Sequence, residues 1–68
     1  MRHQFVSSSN LLSVGYEYPV LEVRFKHGGC YQYHGVPEGV YHELLNAPSK
    51  GRYLHYQIKP FYPCYKVF

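Results

Sequence analysis

The stretch from Val20 to His34 leaves this chain little conformational choice. Leu21, Val23 and Phe25 alternate with Glu22, Arg24 and Lys26, the period of two that a half-buried strand produces because successive side chains point to opposite faces. His27-Gly28-Gly29 interrupts the pattern, and Tyr31 and Tyr33 then alternate with Cys30, Gln32 and His34. Two such runs around a glycine pair predict a β-hairpin. Residues directly opposite in an antiparallel pair share a face, so the loop length can be read from the side chains. A two-residue loop sets the tyrosines opposite Arg24 and other polar residues. A three-residue loop, His27 to Gly29, pairs Lys26 with Cys30, Phe25 with Tyr31, Arg24 with Gln32, Val23 with Tyr33 and Glu22 with His34. That register separates apolar from polar and puts a glycine where the turn needs a left-handed residue.

The rest of the chain reads as elements that can cover such a hairpin. Leu12, Val14 and Tyr16 alternate with Ser13 and Gly15 as an earlier strand, and Tyr18-Pro19 marks the turn that follows. Pro37 is expected at the first position of a helix, which its fixed φ favours. At 100° per residue Val40, Tyr41, Leu44 and Leu45 fall on one arc of it, and Asn46-Ala47-Pro48 ends it. Ser49 is placed to cap a second helix running to about Lys59, where Pro60 stops it. Leu54 and Ile58 share its inner face, with Gly51 nearby allowing a close approach. Arg52, His55, Tyr56 and Lys59 share the outer arc. The tail Phe61 to Phe68 contains Pro63, which confines it to an edge. The expectation is an α+β fold: a small antiparallel β-meander of three strands packed with two short helices, with the tail as a possible fourth edge strand. No repeat or linker divides residues 1–68, so one domain is expected.

A chain of 68 residues buries only about 60% of the surface its unfolded form exposes. Nine Tyr and four Phe exceed what such a core encloses, so several Tyr rings are expected at the surface, where they favour binding. Seven Lys and Arg against four Glu give a net charge of +3, which permits a polyanionic partner without being a basic arm. There is no Asp, so carboxylate chemistry rests on Glu17, Glu22, Glu38 or Glu43. No apolar run approaches the roughly 20 residues of a membrane span. With two cysteines and no long apolar leader, a cytoplasmic location with reduced thiols is expected.

Nearly the whole chain, Val6 to Tyr62, resembles the KTSC domain family, named after a C-terminal extension of some lysyl-tRNA synthetases. The resemblance is carried by Tyr31-Gln32-Tyr33, Ser7-Ser8, Gly15-Tyr16, the Leu21-x-Val23-x-Phe25 strand, Val36-Pro37, Tyr41, and Ala47-x-Ser49-x-Gly51-x-Tyr53 followed by Ile58-Lys59. Their order and spacing together are what is specific. The resemblance implies a small domain found both fused to lysyl-tRNA synthetases and free-standing in bacteria or phage. RNA binding has been suggested for it by that association. The segment 63–68 lies outside the shared pattern.

Candidate sites follow from both lines. Tyr31 and Tyr33 are either a platform for stacking bases or, as the register favours, packing residues under the first helix. Arg24, Lys26, Gln32 and His34 share the outer sheet face, and Arg52, His55, Tyr56 and Lys59 the outer face of the second helix. A cationic surface with a Tyr or His ring can hold a nucleic-acid backbone and stack a base. His27, Cys30 and His34 are zinc-ligand types, but their spacing crosses a hairpin, and no metal or other cofactor is expected. Ser7, Ser49, Cys30, His34 and Glu22 offer groups for catalysis, yet no nucleophile elbow, phosphate loop or carboxylate pair organises them, so an enzyme is not expected. The chain is expected to be a small binding module, for RNA or another nucleic acid. The alternative is a protein-interaction module using exposed Tyr residues and the tail.

Overall fold

The computed structural model describes residues 1–68. Five antiparallel strands form a meander in chain order: β1 (His3–Phe5), β2 (Leu11–Glu17), β3 (Val20–Phe25), β4 (Cys30–His34) and β5 (Cys64–Lys66). Between β4 and β5 the chain forms α1 (Glu38–Asn46) and α2 (Lys50–Tyr53), and α2 runs on as a π-helical segment, Leu54–Ile58. Leu44, Leu54 and Ile58 from the helical layer close over Val14, Leu21, Val23 and Tyr33 of the sheet. The expected α+β architecture is present, with the tail added as an edge strand beside β4 and one further strand, β1, on the other edge.

The β3–β4 pairing differs from the expected one by a slide of two residues. Leu21 lies opposite Tyr33, Val23 opposite Tyr31 and Arg24 opposite Cys30. A two-residue slide leaves every side chain on its face, so the apolar pattern cannot distinguish the two registers. The turn decides: the Phe25 amide donates to the Gly29 carbonyl (3.1 Å), and Lys26, His27 and Gly28 make the loop. Gly28 takes the left-handed position at φ 110°, a conformation that a Cβ disfavours. Lys26 therefore leaves the sheet face expected for it, and its amide donates to the Asn10 carbonyl (2.8 Å).

β2 also corrects the sequence pattern. The register shifts between Leu11 and Ser13, so Leu11 rather than Leu12 is fully buried, as happens when a bulge sets two residues against one. Pro37 is the residue before α1, extended at φ −69° and ψ 154°, and not its first helical residue. Leu44 is buried beneath α1, and Val40, Tyr41 and Leu45 pack around it. Tyr41 stacks on Tyr16 (centroids 4.7 Å apart, planes 11° apart). The Tyr16 hydroxyl donates to the Val36 carbonyl (2.6 Å).

Ser49 caps α2 as expected, its Oγ accepting from the Arg52 amide (3.4 Å). The helix continues to Ile58 with a wider turn, the Lys59 amide donating to the Leu54 carbonyl five residues back (2.9 Å). The Tyr53 hydroxyl donates to Glu43 Oε1 (2.5 Å) and ties α2 to α1. Burial first, and the Glu43 carboxylate second, push that phenol up to about 12. Cys30 and Cys64 are both free. Cys64 lies opposite Tyr33 while Cys30 points to the other face of the sheet, so the two thiols are kept apart. No helix is long and apolar enough to cross a membrane.

Candidate functional site

Residues from three segments meet along the outer side of the second helix. The helix contributes Arg52, His55, Tyr56 and Lys59 to a groove of about 460 Å³. Its opposite wall is the β3–β4 turn, with Phe25 and His27, and its floor is the start of β2, with Asn10 and Leu11. The arrangement follows from local structure. Burying Leu54 and Ile58 turns His55, Tyr56 and Lys59 outward. Gly51 lets the helix pass close to β2, since a Cβ there would stand 3.3 Å from Asn10 Nδ2. Its close neighbour is thus a side chain of the β2 lead-in. Tyr56 keeps 62% of its surface exposed with His55 edge-on to it at 4.8 Å. On the facing wall His27 stacks on Phe25 (5.4 Å, 11°). Four aromatic or imidazole rings and two cations therefore border one channel.

A second, polar groove of about 390 Å³ carries Ser7, Ser8, Ser9, Lys26, Ser49 and Lys50. It adjoins the first, because three pairs of successive residues divide between them: Ser9 and Asn10, Lys26 and His27, Lys50 and Gly51.

The charge balance of the molecule is one-sided. The two close contacts between a basic side chain and a carboxylate both use histidine, His3 to Glu22 and His42 to Glu38. None of the seven Lys and Arg side chains has a carboxylate partner. Four of those seven, Lys26, Lys50, Arg52 and Lys59, line the two joined grooves.

The other face of the sheet carries Arg24 and His34, expected beside Lys26 in a cationic patch. They stay on that outer face, turned away from the helices, while Lys26 leaves it for the turn, and His34 belongs there to a hydrogen-bond network. His3 is hydrogen-bonded through Nδ1 to Ser13 Oγ (2.9 Å) and through Nε2 to Glu22 Oε2 (2.5 Å). Gln32 Nε2 donates to Glu22 Oε1 (2.9 Å), and Gln32 Oε1 meets His34 Nε2 at 3.3 Å. The Gln32 hydrogen bond, followed by His3, holds the Glu22 carboxyl below its ordinary value against the opposing effect of burial. Arg24 lies over the Phe68 ring (5.1 Å), and Tyr65 stands edge-on to His34 (5.0 Å). This patch and the helix groove are on opposite sides of the sheet and do not join. Ser13, His3 and Glu22 have the order of a nucleophile, base and carboxylate, but Ser13 is 4% exposed in mid-strand and offers no room for a substrate.

Tyr31 and Tyr33 point toward the helices. Tyr33 is 1% exposed, its phenol pushed strongly up by burial and then by Cys64. Tyr31 packs edge-on against Phe25 (5.5 Å). Tyr33 is a core packing residue, and Tyr31 is half-buried against Phe25, an arrangement that follows the packing alternative. His27, Cys30 and His34 diverge as well: His27 faces the groove, Cys30 is buried, and His34 lies at the far end of β4 on the opposite face. Sequence patterning missed His27, Phe25 and Asn10 as groove residues, because only the fold brings the hairpin turn and the β2 lead-in against α2. It missed His3 because β1 is too short to show alternation.

A five-stranded meander closed by two helices, with a cationic and aromatic groove on the second, defines a small α+β domain. The chain belongs to the KTSC domain family, whose model matches residues 7–62. A crystallised KTSC domain protein of Yersinia pestis superposes with a TM-score of 0.93 at 42% identity, covering 98% of this chain and 97% of that one. A protein of Tsukamurella paurometabola is 39% identical over 59 residues, 84% of this chain and 88% of the relative. Lysine–tRNA ligases of Trichormus variabilis and a Nostoc species are 51% identical over 39 residues, 57% of this chain but 7% of each ligase.

The family pattern divides by location. Tyr16, Tyr33, Tyr41 and Tyr53 pack the sheet and helices together, and Gly15 admits the His3 ring on the other face of the sheet. Ser8, Ser49 and Gly51 meet at the joined grooves.

Proposed function

We propose that this chain is a small non-enzymatic module that binds single-stranded nucleic acid, RNA foremost, along the groove of Arg52, His55, Tyr56 and Lys59. The observation that carries this reading is the absence of any carboxylate partner for the molecule's lysines and arginines, four of which line one track. Unneutralised cations along a channel favour a polyanion, and the release of its counterions drives binding. An exposed Tyr56 ring beside them supplies a face on which a base of any sequence stacks. The presence of a related stretch within ligases named for a tRNA is consistent with an RNA partner.

The test is fluorescence anisotropy of labelled single-stranded and hairpin RNA over a salt series. Replacing Arg52 and Lys59 together by Gln should weaken binding to unrelated sequences alike and lower the salt slope by about 1.4, two contacts at roughly 0.7 each. Tyr56→Ala should remove about 1–3 kcal/mol of stacking while leaving the slope nearly unchanged. Circular dichroism confirms that each variant is folded. No binding by the wild type at low salt overturns the reading.

A second reading rests on the exposed aromatics Phe5, Tyr65 and Phe68. Phe5 and Tyr65 occupy strand positions on the face away from the helices, and Phe68 lies against Arg24 there, so they suit a protein partner. Such a complex should respond far less to salt than a phosphate-contacting one.

A further inference from the structure

The polar groove beside the aromatic one presents hydrogen-bond donors and positive charge from three separate segments. Ser8 Oγ already accepts from the backbone amides of Asn10 (3.2 Å) and Leu11 (3.1 Å). Ser49 Oγ likewise accepts from the Arg52 amide (3.4 Å). A hydroxyl whose oxygen is engaged this way has its proton left to donate. Lys50 Nζ gives one hydrogen to the Ala47 carbonyl (3.2 Å), and the ammonium has two more. Lys26 is brought to the same groove by the two-residue slide of the hairpin, which takes it off the sheet. No carboxylate stands among the lining residues, and neither lysine has an acidic partner anywhere in the molecule.

Hydroxyl donors, two ammonium groups and no competing carboxylate select a tetrahedral oxyanion, since several donors can converge on its oxygens and charge-assisted bonds are the stronger kind. We infer that the groove of Ser8, Ser49, Lys26 and Lys50 is a phosphate-binding pocket, the anchor for a phosphate group whose attached sugar and base lie toward Tyr56 and His27. This deepens the nucleic-acid reading, but the pocket itself can be tested without RNA. Its ligand chemistry is a phosphate monoester or diester, supplied by a strand end, by an internal linkage or by free phosphate.

The experiment is a titration of the isotopically labelled protein with inorganic phosphate at constant ionic strength, chloride being the replaced anion, followed through the backbone amide resonances of Ser8, Ser9, Ser49 and Lys50. Saturable shifts confined to those amides are expected. The double variant Lys26→Gln, Lys50→Gln should weaken them at least tenfold, and Lys66→Gln, on β5, should not. The amide spectra also report that each variant is folded. The inference is overturned if phosphate moves these amides no more than chloride does, or if the double variant titrates like the wild type. RNA titrations of the same proteins distinguish the sources. A 5′-phosphorylated oligonucleotide that gains affinity only when Lys26 and Lys50 are intact assigns the pocket to a strand end. Equal affinities with and without that phosphate, both reduced in the double variant, assign it to an internal linkage. Saturation by inorganic phosphate in a protein that binds no RNA leaves the pocket standing and removes the nucleic-acid reading. RNA binding with no phosphate response does the reverse.

Discussion

The two faces of the sheet are stabilised by different physics. Toward the helices, Leu11, Val14, Leu21 and Val23 are wholly buried among other apolar groups, and their contribution depends on area removed from water. On the other face, a chain of hydrogen bonds runs from Ser13 through His3, Glu22 and Gln32 to His34. Its worth depends on charge and proton occupancy. One sheet therefore joins a layer indifferent to pH to a layer sensitive to it, and the two should separate under mutation.

The largest effect is expected at the helix-facing side. Leu21→Ala should cost about 2–5 kcal/mol, against a total of roughly 3–10 kcal/mol for a chain of this length. The loss should be the same at pH 4 and pH 7, and urea midpoints at both check it. A pH-dependent loss would break the comparison.

Gly15→Ala probes the other face by steric means. A Cβ there would stand 2.7 Å from His3 Cδ2 and 2.9 Å from the Arg2 carbonyl oxygen. Displacing the ring and β1 should cost about 1–3 kcal/mol, the usual range for overpacking. The His3 ring resonances should move while those of Tyr33 stay in place. Unchanged His3 shifts would show that the ring does not cross the sheet at Gly15.

The smallest and most diagnostic change is Glu22→Gln, expected to cost about 1 kcal/mol at neutral pH. The folded carboxyl is held below its ordinary 4.5, so the unfolded chain takes up the proton first as pH falls. The stability from this group is complete above that ordinary value and disappears as pH drops through the folded one. Acidification from pH 6 to pH 3 should therefore destabilise the wild type more than Glu22→Gln. Equal losses in the two proteins would remove Glu22 from the acid-sensitive layer.

What was legible in the sequence is what side-chain alternation records. Leu21, Val23, Tyr31 and Tyr33 were placed on their face because parity is written in the pattern, and the 49–59 helix because its cap, its inner residues and its terminating proline are local. The exact pairing of β3 with β4 was not legible, since a slide of two residues preserves parity and only the backbone of the Lys26–Gly28 turn chooses between registers. That choice moved Lys26 from the sheet to the polar groove. The outer helix residues Arg52, His55, Tyr56 and Lys59 were grouped from periodicity alone, and the structure does bring them together. Their partners Phe25, His27 and Asn10 required the tertiary fold. The separation of Arg24 and His34 from that group follows from the same parity, which sets them opposite the apolar face that the helices cover.

The two edge strands bear on how this sheet meets other chains. A lateral strand offers unpaired amides and carbonyls as a template for further pairing. Here β1 and β5 are three residues each, and because outward-directed groups alternate along an antiparallel strand, each offers only one or two residues to a newcomer. β5 is moreover preceded by Pro63 and ends on Lys66, a missing donor and a charge of the kind that discourages pairing edge to edge. The long, tyrosine-bearing strand β4 is thereby kept in the interior of the sheet, and lateral polymerisation through it would first require β5 to be peeled away.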